Sequence, residues 1–140
     1  MKKTYDPLLR ARKQLKAASF PQLLGLKFVE LAPGRAVIRM PNRTLFRQYR
    51  GQTHGGAIAA LIDTAATFAT NSMIDKDHDS VTVELKVNFI KAGTGRCLEA
   101  KAEILHHGRT TSITRIEVRN PDGVLCAFAT ATNLLYASRR

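Results

Sequence analysis

One stretch of the sequence decides the fold of this chain: HGGAIAALIDTAATFATNSM, which spans residues 54–73. Its large apolar side chains recur at helical spacing, and its remaining positions are mostly Ala and Thr. A helix that is apolar nearly all round has to be buried nearly all round. The sequence therefore predicts one long helix, from Gly55 to about Met73, at the centre of the molecule.

Strand-like segments lie on both sides of this helix. Residues 81–90 alternate, with Val81, Val83, Leu85, Val87 and Phe89 on one face and Thr82, Glu84, Lys86 and Asn88 on the other. Further strands are predicted over residues 26–31, 35–40, 97–105, 110–119 and 124–136, with turn residues between them. One buried helix followed by an antiparallel meander predicts an α+β fold whose sheet curls round that helix.

The length and composition fit a single domain. The chain has 140 residues, 44% of them hydrophobic and 24% charged, and a domain usually takes about 100–200 residues. We expect one domain over residues 1–140, in which residues 1–19 form an N-terminal helical extension with a helix over 7–19.

The charge is strongly positive, with 22 Lys and Arg against 11 Asp and Glu, and this favours an anionic partner. The sequence contains no recognisable nucleic-acid-binding motif, so we expect no nucleic acid. Its longest apolar stretch, residues 57–74, is too polar to cross a bilayer, so we expect no membrane association. The polar N-terminus lacks a signal-peptide core and favours a cytoplasmic location. The two cysteines, Cys97 and Cys126, lack metal-ligand spacing, and we expect no metal.

Asp63 is the only formally charged side chain between Gly51 and Ile74. A buried carboxylate without a partner is costly, so it requires a hydrogen-bond donor, a cation or a water-filled pocket. Thr67 follows one helical turn later and could hold a water or ligand beside the carboxylate, or bond back to the helix. From spacing alone, a structural and a functional role of Asp63 stay equally open.

Two glycines, Gly55 and Gly56, begin the predicted helix. They let a ligand approach the backbone, and the unpaired N–H groups of a helix N-terminus favour an anion or a polarised carbonyl oxygen. Such donors stabilise the oxyanion that forms during acyl transfer. The sequence contains no G-x-S-x-G motif, which argues against a serine hydrolase triad.

Residues 54–63, HGGAIAALID, resemble the HGG-x(6)-D/E motif of hotdog-fold acyl-CoA thioesterases of the phenylacetic-acid-degradation (PaaI-like) group. Residues 81–89, VTVELKVNF, resemble the strand that follows the helix in that group, and His107-Gly108-Arg109 resembles its next hairpin. The resemblance covers roughly residues 20–136. It implies a hotdog fold, in which an antiparallel sheet wraps one long central helix.

The resemblance also implies roles for five catalytic residues. Asp63 corresponds to the catalytic carboxylate, acting as nucleophile or general base, and the Gly55 amide polarises the thioester carbonyl. Gln48 corresponds to a residue that positions the carbonyl or the water. Thr82 corresponds to a residue that holds the attacking water, and Thr67 to a hydroxyl found in part of the family.

Four further residues are expected to take part in substrate binding. His54 and Gly56 complete the motif beside the substrate, with His54 supporting the loop. Lys91 and Arg109 suit the phosphates of coenzyme A, since both side chains bind phosphate well.

The resemblance further implies a homodimer, often a dimer of dimers, with active sites shared between chains, and hydrolysis of acyl-CoA to free acid and coenzyme A. Coenzyme A is then part of the substrate, and no cofactor is implied. Two alternatives stay open: a non-catalytic acyl-CoA-binding hotdog domain, and an acyl-thioester hydratase or dehydratase. The acyl group, and the choice between coenzyme A and an acyl carrier protein, also stay open.

Overall fold

Residues 4–139 are described by the structure, a computed structural model of the chain. Its helices and strands, in chain order, are α1 (Pro7–Ala17), α2 (Ser19–Leu23), β1 (Lys27–Ala32), β2 (Arg35–Pro41), a short 3-10 helix (Thr44–Phe46), α3 (Gly55–Asn71), β3 (His78–Phe89), β4 (Cys97–His107), β5 (Thr111–Arg119) and β6 (Leu125–Ala137).

The strands form one antiparallel sheet in the order β1-β2-β4-β5-β6-β3, so that β1 and β3 are its edges. The long helix α3 lies across this sheet and contacts β2 to β6. The predicted α+β architecture, with one long helix against an antiparallel sheet, is confirmed.

Small side chains on the sheet let the helix approach closely. The helix-facing positions of β4 and β6 include fully buried alanines, among them Ala100, Ala102, Ala127 and Ala131. Larger apolar side chains of α3, such as Leu61 and Ile62, fill the space above them and are fully buried. The core therefore sits between α3 and the sheet, and α3 is held firmly along its length.

The burial of α3 differs from the prediction. Its sheet-facing side is buried, but Gly56 is exposed and Asp63, Thr64 and Thr67 are half-buried. The polar, small-residue side of the helix is therefore accessible within one protomer. The helix also ends at Asn71, two residues earlier than predicted.

The predicted N-terminal helix over 7–19 is interrupted. Ala18 has an extended backbone conformation, and α2 begins directly after it. Pro21 explains the break, because proline has no N–H to donate to the Ala17 carbonyl in a continuous helix. None of the helices within residues 4–139 has the length and hydrophobicity that crossing a membrane requires.

Strand β3 contains a β-bulge that the alternating sequence did not predict. Thr82 pairs with Asn133 of β6 and Glu84 pairs with the preceding Thr132, so Val83 is an extra residue on β3. The predicted alternation is wrong at this point. The alternation placed Thr82 on the opposite face of the strand from Leu85 and Val87. Because of the extra residue, Thr82 lies on the helix-facing side, where those two side chains pack.

Candidate active site

The N-terminus of α3 carries an unpaired backbone donor. His54 is the N-cap residue, and its Nδ1 accepts a hydrogen bond of 2.8 Å from the Gly56 N–H. The Gly55 N–H has no acceptor among residues 4–139. His54 therefore supports the loop by capping the helix, and the Gly56 N–H is used in this hydrogen bond. The Gly55 N–H stays available for a ligand at the positive end of the helix dipole.

The Gly55 amide borders an open depression of about 290 Å³. Gln48, Phe89 and Lys91 also line it. A Cβ atom on Gly55 would lie 3.3 Å from the Phe89 ring, so the ring packs directly against the glycine. The structure thus brings three of the residues expected at the site, Gln48, Gly55 and Lys91, to one depression.

Gln48 is held in the turn before α3. Its backbone N–H donates to the Gln52 carbonyl at 2.8 Å, and its side-chain Oε1 accepts from the Arg50 N–H. Its Nε2 donates to Gln52 Oε1 at 3.3 Å, a long hydrogen bond. A substrate carbonyl or water could replace that weak contact while the turn stays in place.

The Asp63 carboxylate is fixed through one oxygen. The Thr82 hydroxyl donates to Asp63 Oδ1 at 2.7 Å, and Thr67 Oγ1 lies 3.4 Å from Thr82 Oγ1. The other oxygen, Oδ2, has no donor among residues 4–139. The predicted grouping of Asp63, Thr67 and Thr82 is therefore present, with one carboxylate oxygen held and the other available for chemistry.

These two groups of residues are separated within one protomer. Gly55 and Asp63 lie eight positions apart on α3, which corresponds to about 12 Å along the helix axis. One thioester carbonyl cannot contact the amide of Gly55 and the carboxylate of Asp63 of the same chain.

Lys91 and Arg109 lie at opposite ends of the sheet. The Lys91 N–H donates to the Cys126 carbonyl near the start of β6, whereas the Leu135 N–H, near its end, donates to the carbonyl of Thr110. Nine residues of strand separate these two points, or about 30 Å. The structure does not bring the two expected phosphate-binding residues together within one protomer.

Sequence reasoning missed Asn133. This β6 residue is fully buried, and its Nδ2 donates to Thr82 Oγ1 at 3.2 Å. A signal was present, because Asn133 interrupts an alternating series of alanines at 127, 129 and 131 that faces the helix. From the sequence, residues 124–136 were assigned to a strand and no residue within it was singled out.

No group of three or more His, Cys, Asp or Glu side chains suited to a metal ion occurs in the described part of the chain. The absence of a metal from the reaction stays a prediction.

The sequence profile described as the thioesterase superfamily matches residues 50–127, more than half of the chain. The chain belongs to the thioesterase superfamily. This membership, together with relatives named acyl-CoA thioesterases, identifies the chain as a thioester hydrolase and confirms the resemblance stated from the HGG-x(6)-D motif. The medium/long-chain acyl-CoA thioesterase YigI of Salmonella typhimurium is 25% identical to this thioesterase over 131 residues, which cover 83% of this chain and 84% of YigI.

Solved structures confirm the hotdog fold. A thioesterase family protein from Silicibacter pomeroyi superposes on this thioesterase with a TM-score of 0.90 at 27% identity, covering 94% of this chain and 99% of that one. The E. coli PaaI protein from the phenylacetic acid degradation operon has a TM-score of 0.88 at 22% identity, covering 95% of each chain, and shares the fold.

Proposed function

We propose that this thioesterase hydrolyses an acyl-CoA thioester to the free acid and coenzyme A, with Asp63 as the catalytic carboxylate. The observation that carries the proposal is the state of that carboxylate: Thr82 holds Oδ1, and Oδ2 has no donor among residues 4–139. The acyl-CoA activity named for the YigI relative supports the choice of substrate.

The chemistry requires no group beyond the protein and water. As a general base, Asp63 Oδ2 takes a proton from water, the water oxygen bonds to the thioester carbon, and the C–S bond breaks. The sulfur of coenzyme A leaves with the electron pair and receives the proton. As a nucleophile, Asp63 first forms an acyl anhydride, which water then hydrolyses to the same products.

Donors aimed at the carbonyl oxygen complete this mechanism. Negative charge develops on that oxygen when the carbonyl carbon becomes tetrahedral. The helix orients the Gly55 N–H to donate a hydrogen bond to this oxygen. Gln48 lines the same depression, and its Nε2 is the second donor to the carbonyl or to the water.

A homodimer would bring the two parts of the site together. Gly55 packs against Phe89 at the end of β3, and Asp63 contacts Thr82 nearer its start. β3 is an edge strand with half-exposed apolar side chains at Val81 and Val83, a surface that normally requires a partner. Antiparallel pairing of two β3 strands about a two-fold axis sets the end of one strand beside the start of the other. Gly55 of one protomer would then face Asp63 of the partner subunit.

The same pairing accounts for the positions of Lys91 and Arg109. They lie at opposite ends of one sheet, so a two-fold axis through β3 sets Lys91 of one protomer near Arg109 of the partner subunit. Both cations would then flank one site mouth and bind the phosphates of coenzyme A. Association of two such dimers, implied by the family resemblance, stays a prediction.

Hydrolysis of a panel of acyl-CoA esters, followed by detection of the free thiol, tests the proposed function. We expect Asp63→Asn to lower kcat by about 10²- to 10⁴-fold, the usual contribution of an acid–base group. Asp122→Asn is the matched control, because it makes the same chemical change in an exposed turn, and we expect it to keep full activity.

Three results would contradict the proposal or part of it. Binding of acyl-CoA without thiol release would assign the chain to a non-catalytic module. Conversion of an enoyl group without thiol release would assign it to a hydratase. Full activity of a folded Asp63→Asn variant would remove Asp63 from the mechanism.

A further inference from the structure

Asn133 is an unusual residue for its position. The helix-facing side chains of β6 are Ala127, Ala129, Ala131 and Asn133, all buried, and Asn133 is 0% exposed. Its Oδ1 has no hydrogen-bond partner in the described part of the chain. A buried amide with an unpaired oxygen costs free energy relative to an apolar side chain. The amide is therefore not explained by packing, and its one hydrogen bond goes to the Thr82 hydroxyl.

The hydrogen bonds around Thr82 have only one consistent arrangement. A threonine hydroxyl has one proton and two lone pairs, and a carboxylate can only accept. Asp63 Oδ1, at 2.7 Å, therefore receives the Thr82 proton. The Asn133 group at 3.2 Å has to be the donating Nδ2, since Thr82 has no second proton to offer to an amide oxygen.

We propose that Asn133 is a positioning residue of the thioesterase reaction, which orients the Thr82 hydroxyl toward Asp63 and so fixes the carboxylate. This inference rests on the proposed role of Asp63. Asn133 touches neither substrate nor water in this scheme and acts through Thr82.

Loss of the Asn133 amide would remove the donor that holds the Thr82 hydroxyl in its orientation. The Thr82 hydroxyl is then free to rotate and donate to Thr67 Oγ1, 3.4 Å away. Asp63 Oδ1 loses its donor for part of the time, and the carboxylate can rotate about its side-chain bonds. The reacting oxygen, Oδ2, is then less often in the geometry for attack, and a misplacement of about 1 Å can cost about 10²-fold in rate.

The test is a double-mutant cycle on kcat with Asn133→Leu and Thr82→Val. Leucine has the same branched shape as asparagine, although its methyl groups are larger, and it cannot donate a hydrogen bond. We expect Asn133→Leu alone to lower kcat about 10- to 100-fold with KM within about twofold. In the Thr82→Val background the same substitution should change kcat less than about twofold, because the hydroxyl through which Asn133 acts is already absent.

Thr114→Val is the matched control. Thr114 on β5 is also 0% exposed, and its Oγ1 has no partner in the described part of the chain. We expect this variant to leave kcat and KM unchanged and to show no coupling to Thr82→Val. If Asn133→Leu does not fold, Asn133→Ala takes its place in the cycle, because it removes the same donor without adding volume.

Equal losses of kcat from Asn133→Leu in both backgrounds would show a structural role and overturn the inference, as would a fully active Asn133→Leu variant. A wild-type chain without thioesterase activity would instead overturn the proposed function. The same cycle measured by urea unfolding needs no substrate and still tests the contact. We expect the midpoint shifts of Asn133 and Thr82 variants to be coupled, and additive shifts would contradict the contact.

Discussion

At the scale of single residues, Gly55 is a position where the addition of one carbon atom is expected to lower the activity. The smallest side chain, that of alanine, would place its Cβ 3.3 Å from the Phe89 ring. Either the ring or the first turn of α3 has to shift by a few tenths of an ångström, and a shift of the turn misdirects the Gly55 N–H. We expect Gly55→Ala to lower kcat about 10²-fold, the magnitude seen when an oxyanion donor is lost. Steady-state kinetics on the best acyl-CoA of the panel measures this.

Phe89→Leu supplies the control for that prediction. It removes the ring that a Cβ would meet, so the double variant Gly55→Ala, Phe89→Leu should recover part of the lost kcat. Wild-type activity of a folded Gly55→Pro variant, which has no N–H at this position, would show that the amide does not contribute to the reaction.

The candidate site was partly predictable at this scale. Asp63 stood out as the lone charge in an apolar helix and Gly55 as a glycine at the helix start, but only the resemblance to the HGG-x(6)-D motif gave both residues a role. The contact of Thr82 with Asp63 could not be derived from alternation, because the bulge at Val83 reverses the face on which Thr82 lies. Asn133 was missed because an amide in an apolar strand shows no function until its partner is known.

At the scale of elements, the end of β4 makes stability depend on pH. Burial lowers the pKa of His107, and the neighbouring His106 adds to the effect. The folded chain therefore binds fewer protons at this site than the unfolded chain, so the free energy of unfolding falls as the pH drops below the ordinary histidine value of about 6.5. We expect His107→Gln to weaken this dependence in urea unfolding between pH 7 and 5. His106→Gln, which changes the exposed neighbour, should leave most of this pH dependence in place. If the free energy of unfolding varies with pH identically in wild type and His107→Gln, the pH dependence does not come from His107.

The elements themselves were largely predictable from the sequence. The central helix and the strands appear where the hydrophobic periodicity placed them, because burial of one face dictates that periodicity. The bulge in β3 was missed because it interrupts an alternation that continues on either side. The break at Ala18 was missed because Pro21, which explains it, lies beyond the predicted end of the helix at residue 19.

At the scale of the whole molecule, a shared active site predicts complementation between inactive chains. Proline is well tolerated at the first position of a helix, so Gly55→Pro removes the N–H without breaking α3. Mixed with Asp63→Asn, it forms hybrid dimers in which one site has both groups intact. Random mixing should restore about a quarter of the wild-type activity per chain.

Subunit exchange, shown by co-purification of differently tagged chains, is the control for this experiment. No recovery of activity in a sample that contains hybrid dimers would mean that each site is built within one chain.

The extra residue at Val83 makes the length of β3 more critical than its composition. The Val83 side chain is 59% exposed, so many residues could replace it without disturbing the core. Deletion of Val83 would restore an uninterrupted ladder with β6, and the side chains of residues 78–82 would change faces. The Thr82 hydroxyl would then lie on the outer surface and the Val81 side chain would point toward the helix. Single-residue deletions in this strand should therefore be far more harmful than substitutions, and a relative of this chain with a strand one residue shorter here would have to hold its carboxylate in another way.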